Sequence, residues 1–127
     1  MKKEPLNPTR AAQAIGPYSQ AVKLDKLIYS SGQIALDPTT GELVPGGIKE
    51  QAKRIMENIK ILLEAGGSSL ENILKTSIYL TSMDHFGDVN EVYSQYFKKP
   101  FPARSTIAVL GLPKGALVEI DFVALSA

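Results

Sequence analysis

The stretch FPARSTIAVLGLPKGALVEIDFVAL, residues 101–125, decides how this chain folds. It reads as two apolar strands around a Pro-Gly turn. Yet it places Arg104, Glu119 and Asp121 among branched aliphatic residues. Strand side chains alternate between the two faces of a sheet. Val118, Ile120, Phe122 and Ala124 therefore form one wholly apolar face, and Leu117, Glu119, Asp121, Val123 and Leu125 form the other. Within 104–109 the alternation sets Ser105, Ile107 and Val109 against Arg104, Thr106 and Ala108. Within 73–81 it sets Leu74, Thr76, Ile78 and Leu80 against Ile73, Lys75, Ser77, Tyr79 and Thr81. If the apolar sets meet helices, Arg104, Thr106, Glu119, Asp121 and Lys75 share the second surface.

Working outward, two helices are expected. Ile48, Ala52, Ile55, Ile59 and Leu62 or Leu63 recur at the spacing of one helix face. Gly66-Gly67 ends that helix, since glycine takes the left-handed cap readily. A second helix is expected over 84–97, with Ser82 or Asp84 as N-cap and Phe86, Val89, Tyr93, Tyr96 and Phe97 as its apolar stripe. Lys98-Lys99 suit its C-terminal end. SQAVKL and LIYSSGQIAL look like two strands joined at Asp25-Lys26. ILKTSIYLT, 73–81, is a third strand rich in β-branched residues. Residues 1–17, broken by Pro5, Pro8, Gly16 and Pro17, read as an irregular arm. The expected order is β-β-α-β-α-β-β, a single α+β domain over 1–127 with both helices on one sheet face.

Composition narrows the function. The chain has 127 residues, 44% hydrophobic, with a net charge of +1. Neither nucleic acid nor an anionic membrane is favoured by that charge. The absence of cysteine removes disulfides, a thiolate nucleophile and Cys-ligated metal. A lone histidine, His85, makes no multi-His site; it is expected exposed in the first turn of a helix. The N-terminus has no apolar run behind Lys2-Lys3, so no signal peptide is expected, and no stretch is long enough to span a membrane. A cytoplasmic protein without metal or organic cofactor is the expectation.

The second sheet face keeps Ile73, Leu117, Val123 and Leu125 beside its charges. A half-apolar sheet face in a small domain invites self-association. The plainer alternative is a solvated sheet face, with Arg104 bridged to Glu119 or Asp121. Tyr18, after Gly-Pro, is either a core plug or a site residue. Ser31-Gly32 marks a bulge or the close approach of another backbone.

IGPYSQAV at 15–22, SGQI at 31–34, FPARST at 101–106 and LPKGALVEI at 112–120, in this order, resemble the YjgF, or Rid (reactive intermediate deaminase), family. Its RidA branch is the most similar. The resemblance covers essentially the whole chain. It implies a chorismate-mutase-like fold and a homotrimer whose sheets form a central barrel with clefts between subunits. It also implies hydrolysis of 2-imino acids, such as 2-iminobutanoate and 2-iminopropanoate, to 2-oxo acids and ammonia. On this resemblance Arg104, Glu119 and Tyr18 are the catalytic set, and Ser31, Gly32, Asn90, Arg104 and Thr106 bind substrate. Many relatives have cysteine where this chain has Thr106.

The residue types suit that chemistry. A guanidinium binds a carboxylate through two parallel hydrogen bonds, which orients it. A carboxylate such as Glu119 can accept a proton from water attacking an imine. Tyr18 and Ser31 can hydrogen-bond the departing nitrogen. Two rivals share the sequence. One is a non-catalytic 2-oxo-acid-binding regulator using the same pocket. The other is an endoribonuclease or translation inhibitor, which dispersed basic residues and one histidine support poorly.

Overall fold

The computed structural model describes residues 2–126. Its elements are β1 (Glu4–Leu6), β2 (Ala21–Leu24), β3 (Leu27–Ser30), α1 (Ile48–Ala65), β4 (Ile73–Leu80), α2 (Phe86–Ser94), β5 (Ala103–Ala108) and β6 (Val118–Leu125). The strands form one sheet in the order β1-β2-β3-β6-β4-β5. All pairs are antiparallel except β4 with β5. The α+β expectation holds, with one strand added. Glu4–Leu6, placed in the irregular arm, pairs with Lys23–Ala21 at the sheet edge. Three residues around a proline give too little pattern to announce a strand.

The expected hairpin of β5 and β6 does not form. β4 lies between them, pairing parallel with β5 and antiparallel with β6. Parallel neighbours need a crossover, and α2 supplies it. The second helix is also shorter than expected. Met83–His85 is a separate turn of 3₁₀ helix, and α2 stops at Ser94, before Lys98-Lys99. Ser82 caps that 3₁₀ turn, its hydroxyl accepting from the Asp84 N–H at 3.1 Å, while the N-cap position of α2 itself falls on His85.

One sheet face carries the core. Val118, Ile120, Phe122 and Ala124 are buried, as their alternation requires. They meet Ile55, Ile59, Leu62 and Leu63 of α1 and Val89 and Tyr93 of α2. The Tyr93 and Thr76 hydroxyls share a buried hydrogen bond of 2.8 Å between α2 and β4. At the start of β4 the alternation fails. An irregularity between Ile73 and Lys75 turns Ile73 inward and leaves Leu74 49% exposed. α1 ends as its glycines require. Gly67 takes φ +73°, and the Ser68 and Gly67 N–H groups donate to Leu63 and Glu64.

Two polar residues on the buried side of α1 hold loops rather than core. Gln51 Oε1 accepts from the Leu117 N–H at 2.9 Å, and Asn58 Nδ2 donates to the Leu36 carbonyl at 2.9 Å. Both contacts fix segments beside the site described below. No helix among the described residues is long and apolar enough to cross a membrane.

Phe122 is 1% exposed on the central strand. Phe122→Ala is expected to destabilise by about 3–5 kcal/mol, read by urea unfolding at matched protein concentration.

Candidate active site

The sheet divides the expected site residues into two groups. Arg104 and Thr106 register with Thr76 and Ile78 of β4, which face the helices. Glu119 and Asp121 register with Tyr79 and Ser77, on the opposite face. The expectation of one shared surface is therefore overturned for Arg104 and Thr106. The cause is the parallel β4–β5 pairing, which seats Arg104 opposite the core residue Thr76.

The first group gathers around Arg104. Its Nη1 donates to Asn90 Oδ1 of α2 at 2.8 Å. The guanidinium carbon lies 5.0 Å from the Tyr93 ring centroid and 5.6 Å from that of Phe86. Such cation–π contacts are worth about 0.5–2 kcal/mol. They hold the planar group against α2 while leaving it exposed. Among the described residues the ion pairs are Arg10–Glu64, Lys49 with Asp88 and Glu91, and Lys60–Glu57. Arg104 thus has no carboxylate partner, which removes the structural salt bridge and leaves a cation open to an anion. Asn90 orients it. Thr106, two residues on, buries an Oγ1 that has no hydrogen-bond partner among the described residues.

The second group lines a cleft of about 610 Å³ that brings together Tyr18, Ser31, Gly32 and Glu119. Tyr18 does not plug the core; it is 52% exposed at the cleft. Ser31-Gly32 is a bulge, one of the two things its sequence allowed; what approaches it closely is the Glu119 side chain, not another backbone. Tyr29 pairs with Val123 and Gln33 with Ile120, so residues 30–32 oppose 121–122, three against two, which is a bulge. A Cβ on Gly32 would lie 2.5 Å from Glu119 Oε2, so only glycine lets the carboxyl rest there. Ser31 is tied down, its Oγ donating to the Ser19 carbonyl at 2.6 Å.

Burial pushes the Glu119 carboxyl above the usual glutamate range, and the nearby Asp121 charge adds to this. Asp121 itself accepts from Tyr79 Oη at 3.1 Å. A raised pKa makes the ionised Glu119 carboxylate a stronger proton acceptor than an ordinary glutamate.

Gln20 and Lys114 also line the cleft and were not singled out from sequence, although both fall inside the quoted motifs. Lys114 stands at φ +57° and donates to the Gly41 carbonyl at 3.1 Å. His85 lies in the turn before α2 and is not among the cleft's lining residues.

Known proteins resemble this chain in both sequence and shape. Residues 8–126 match the family described as Endoribonuclease L-PSP. A mouse protein named 2-iminobutanoate/2-iminopropanoate deaminase is 48% identical over 94% of this chain and 88% of its own length. A RutC family protein of Pyrococcus abyssi is 48% identical over 98% of each chain. The structure of RidA from an Antarctic Psychrobacter superposes with a TM-score of 0.92 at 41% identity, covering 96% and 98% of the two chains. That of Escherichia coli TdcF with bound serine gives 0.91 at 37% identity, covering 98% and 99%. The chain belongs to the Endoribonuclease L-PSP family, the YjgF/Rid family that its four motifs resemble.

Proposed function

We propose that this protein hydrolyses 2-imino acids to 2-oxo acids and ammonia at a site assembled from two copies of the chain. The observation that carries this reading is the split site. An unpaired, aromatic-braced Arg104 lies on one sheet face, and a cleft with a raised-pKa Glu119 lies on the other. Neither half suffices alone. Their joining across an interface, in a homotrimer with clefts between subunits, supplies an anchor and a base together. Ile107, on the open face of β5, and Leu110, just past its end, are exposed apolar side chains that suit such a contact. Deaminase names among the relatives support the chemistry.

In this reading Arg104 grips the substrate carboxylate through two hydrogen bonds, with the Thr106 hydroxyl or backbone adding a third contact. Asn90 keeps the guanidinium in plane. Across the interface, a water oxygen adds to the protonated imine carbon while Glu119 takes the water's proton. Glu119 then returns that proton to nitrogen. The C–N bond breaks with its electron pair on nitrogen, and the carbinol O–H becomes a carbonyl as its proton passes through Glu119 to the departing ammonia. One iminium and one water yield one 2-oxo acid and one ammonium ion. Tyr18 and Ser31 border the leaving nitrogen, and Gly32 gives Glu119 its place. No cofactor enters, and the reading places the protein in the cytoplasm. A ribonucleolytic reading has no histidine at the cleft to work with.

The direct test generates a 2-imino acid enzymatically and follows its disappearance. Wild type is expected to shorten the imine's lifetime; an unchanged lifetime would instead favour a ligand-binding regulator. Arg104→Lys keeps the charge but loses the fork, and is expected to lower kcat/KM by about 10–100-fold, the worth of one charged hydrogen bond.

Mixing separates a shared site from a self-contained one. Arg104→Ala and Glu119→Gln, each inactive alone, should regain activity when unfolded and refolded together, with about a quarter of the sites intact if each draws its halves at random. A mixture that stays inactive would refute the two-copy site.

The acid limb of kcat/KM should follow Glu119, which must be ionised to accept a proton. Its pKa is raised, so activity is lost on acidification at a pH above the usual glutamate range. Asp121→Asn should move that limb to lower pH without reaching the ordinary value, because burial, the larger cause, remains.

A further inference from the structure

Two side chains among the described residues bury polar atoms with no hydrogen-bond partner: Thr106, through its hydroxyl, and Gln20, through both its amide nitrogen and its amide oxygen. Gln20 is 3% exposed and lines the same cleft as Tyr18, Ser31, Gly32 and Glu119. Its backbone is fully engaged. Its N–H donates to Asn7 Oδ1 at 3.0 Å, and its carbonyl accepts from the Ser31 N–H at 2.9 Å. Only the side chain is idle. An unpaired buried polar group costs about 1–3 kcal/mol. A methionine of similar size would fill the space without that cost. Buried amides are retained where something pairs with them.

We propose that Gln20 is a positioning residue: its amide holds an ordered water in the cleft floor, beside Ser31, Gly32 and Glu119, and keeps it there for the hydrolysis. Its chemistry rests on the deaminase reading. Each turnover consumes one water, and a water already held in the cleft is in place when the imine arrives. A buried water needs about two to four polar partners. Gln20 brings two donors and an acceptor. The Ser31–Gln20 backbone bond pairs residue 20 with the neighbour of Gly32, against which the Glu119 carboxyl lies, and Gln20 and Glu119 line the same cleft.

The test pairs a crystal structure of wild type holding a 2-oxo acid with the kinetics of Gln20→Met. A water within about 3.2 Å of Gln20 Nε2 or Oε1 is expected. Gln20→Met should lower kcat at least about tenfold, part of what a positioned base and water contribute, while KM stays within about twofold. Its Tm should stay close to that of wild type, since methionine fills a similar volume. A merely structural glutamine would not split kcat from KM in this way. An amide without a water, or a kcat within about twofold of wild type, overturns the proposal. If wild type fails to hydrolyse the imine, it is the deaminase reading that fails, and the crystallographic water alone decides for Gln20. The same water decides if Gln20→Met does not fold.

Discussion

A strand that follows a helix and runs parallel to its predecessor cannot fold back by a tight turn, and β5 is placed by that constraint. α2 carries the chain over the sheet and sets Ala103–Ala108 on the outer side of β4. β6 must then return on the other side of β4, into the centre of the sheet. The β4–β6 ladder becomes the spine on which both helices rest. The same placement makes β5 an edge and turns Arg104 toward α2, where Tyr93, Phe86 and Asn90 receive it.

Two electrostatic environments result. On the helix side, a guanidinium stands against aromatic faces without a neutralising carboxylate. On the open side, Glu119 is half-buried beside Asp121, and among the described residues it forms no ion pair. The chain's net charge is only +1. Surface pairs normally settle such charges at little gain. On the proposed reading, keeping them apart leaves each available to a ligand that brings its own opposite charge, a carboxylate for one and an iminium for the other.

The sequence showed β6 and α1 almost completely, because their periods are long and regular. It showed Arg104, Glu119, Tyr18, Ser31 and Gly32 through ordered motifs. What it could not show was pairing. Alternation assigns residues to two faces of a strand but does not say which face of β5 matches which face of β6, since the intervening β4 fixes that. Hence Arg104 fell on the wrong surface. The inward turn of Ile73 depends on an irregularity that leaves no residue signature. Glu4–Leu6 is a strand because β2 offers it an edge, not through its own three residues. Gln20 was visible as a letter in GPYSQ, but its idle amide becomes apparent only when every neighbour's hydrogen bonds are accounted for.

Gly32 has a bearing on how members of this fold diverge. The Glu119 carboxyl occupies the volume where any other residue would place its Cβ. Arg104 lies across the sheet and feels nothing of that exchange. One codon at position 32 would therefore displace Glu119 and spare Arg104. On the proposed reading, that removes the base and keeps the anchor, so turnover and recognition are separable by a single methyl group and a metabolite sensor lies one mutation away.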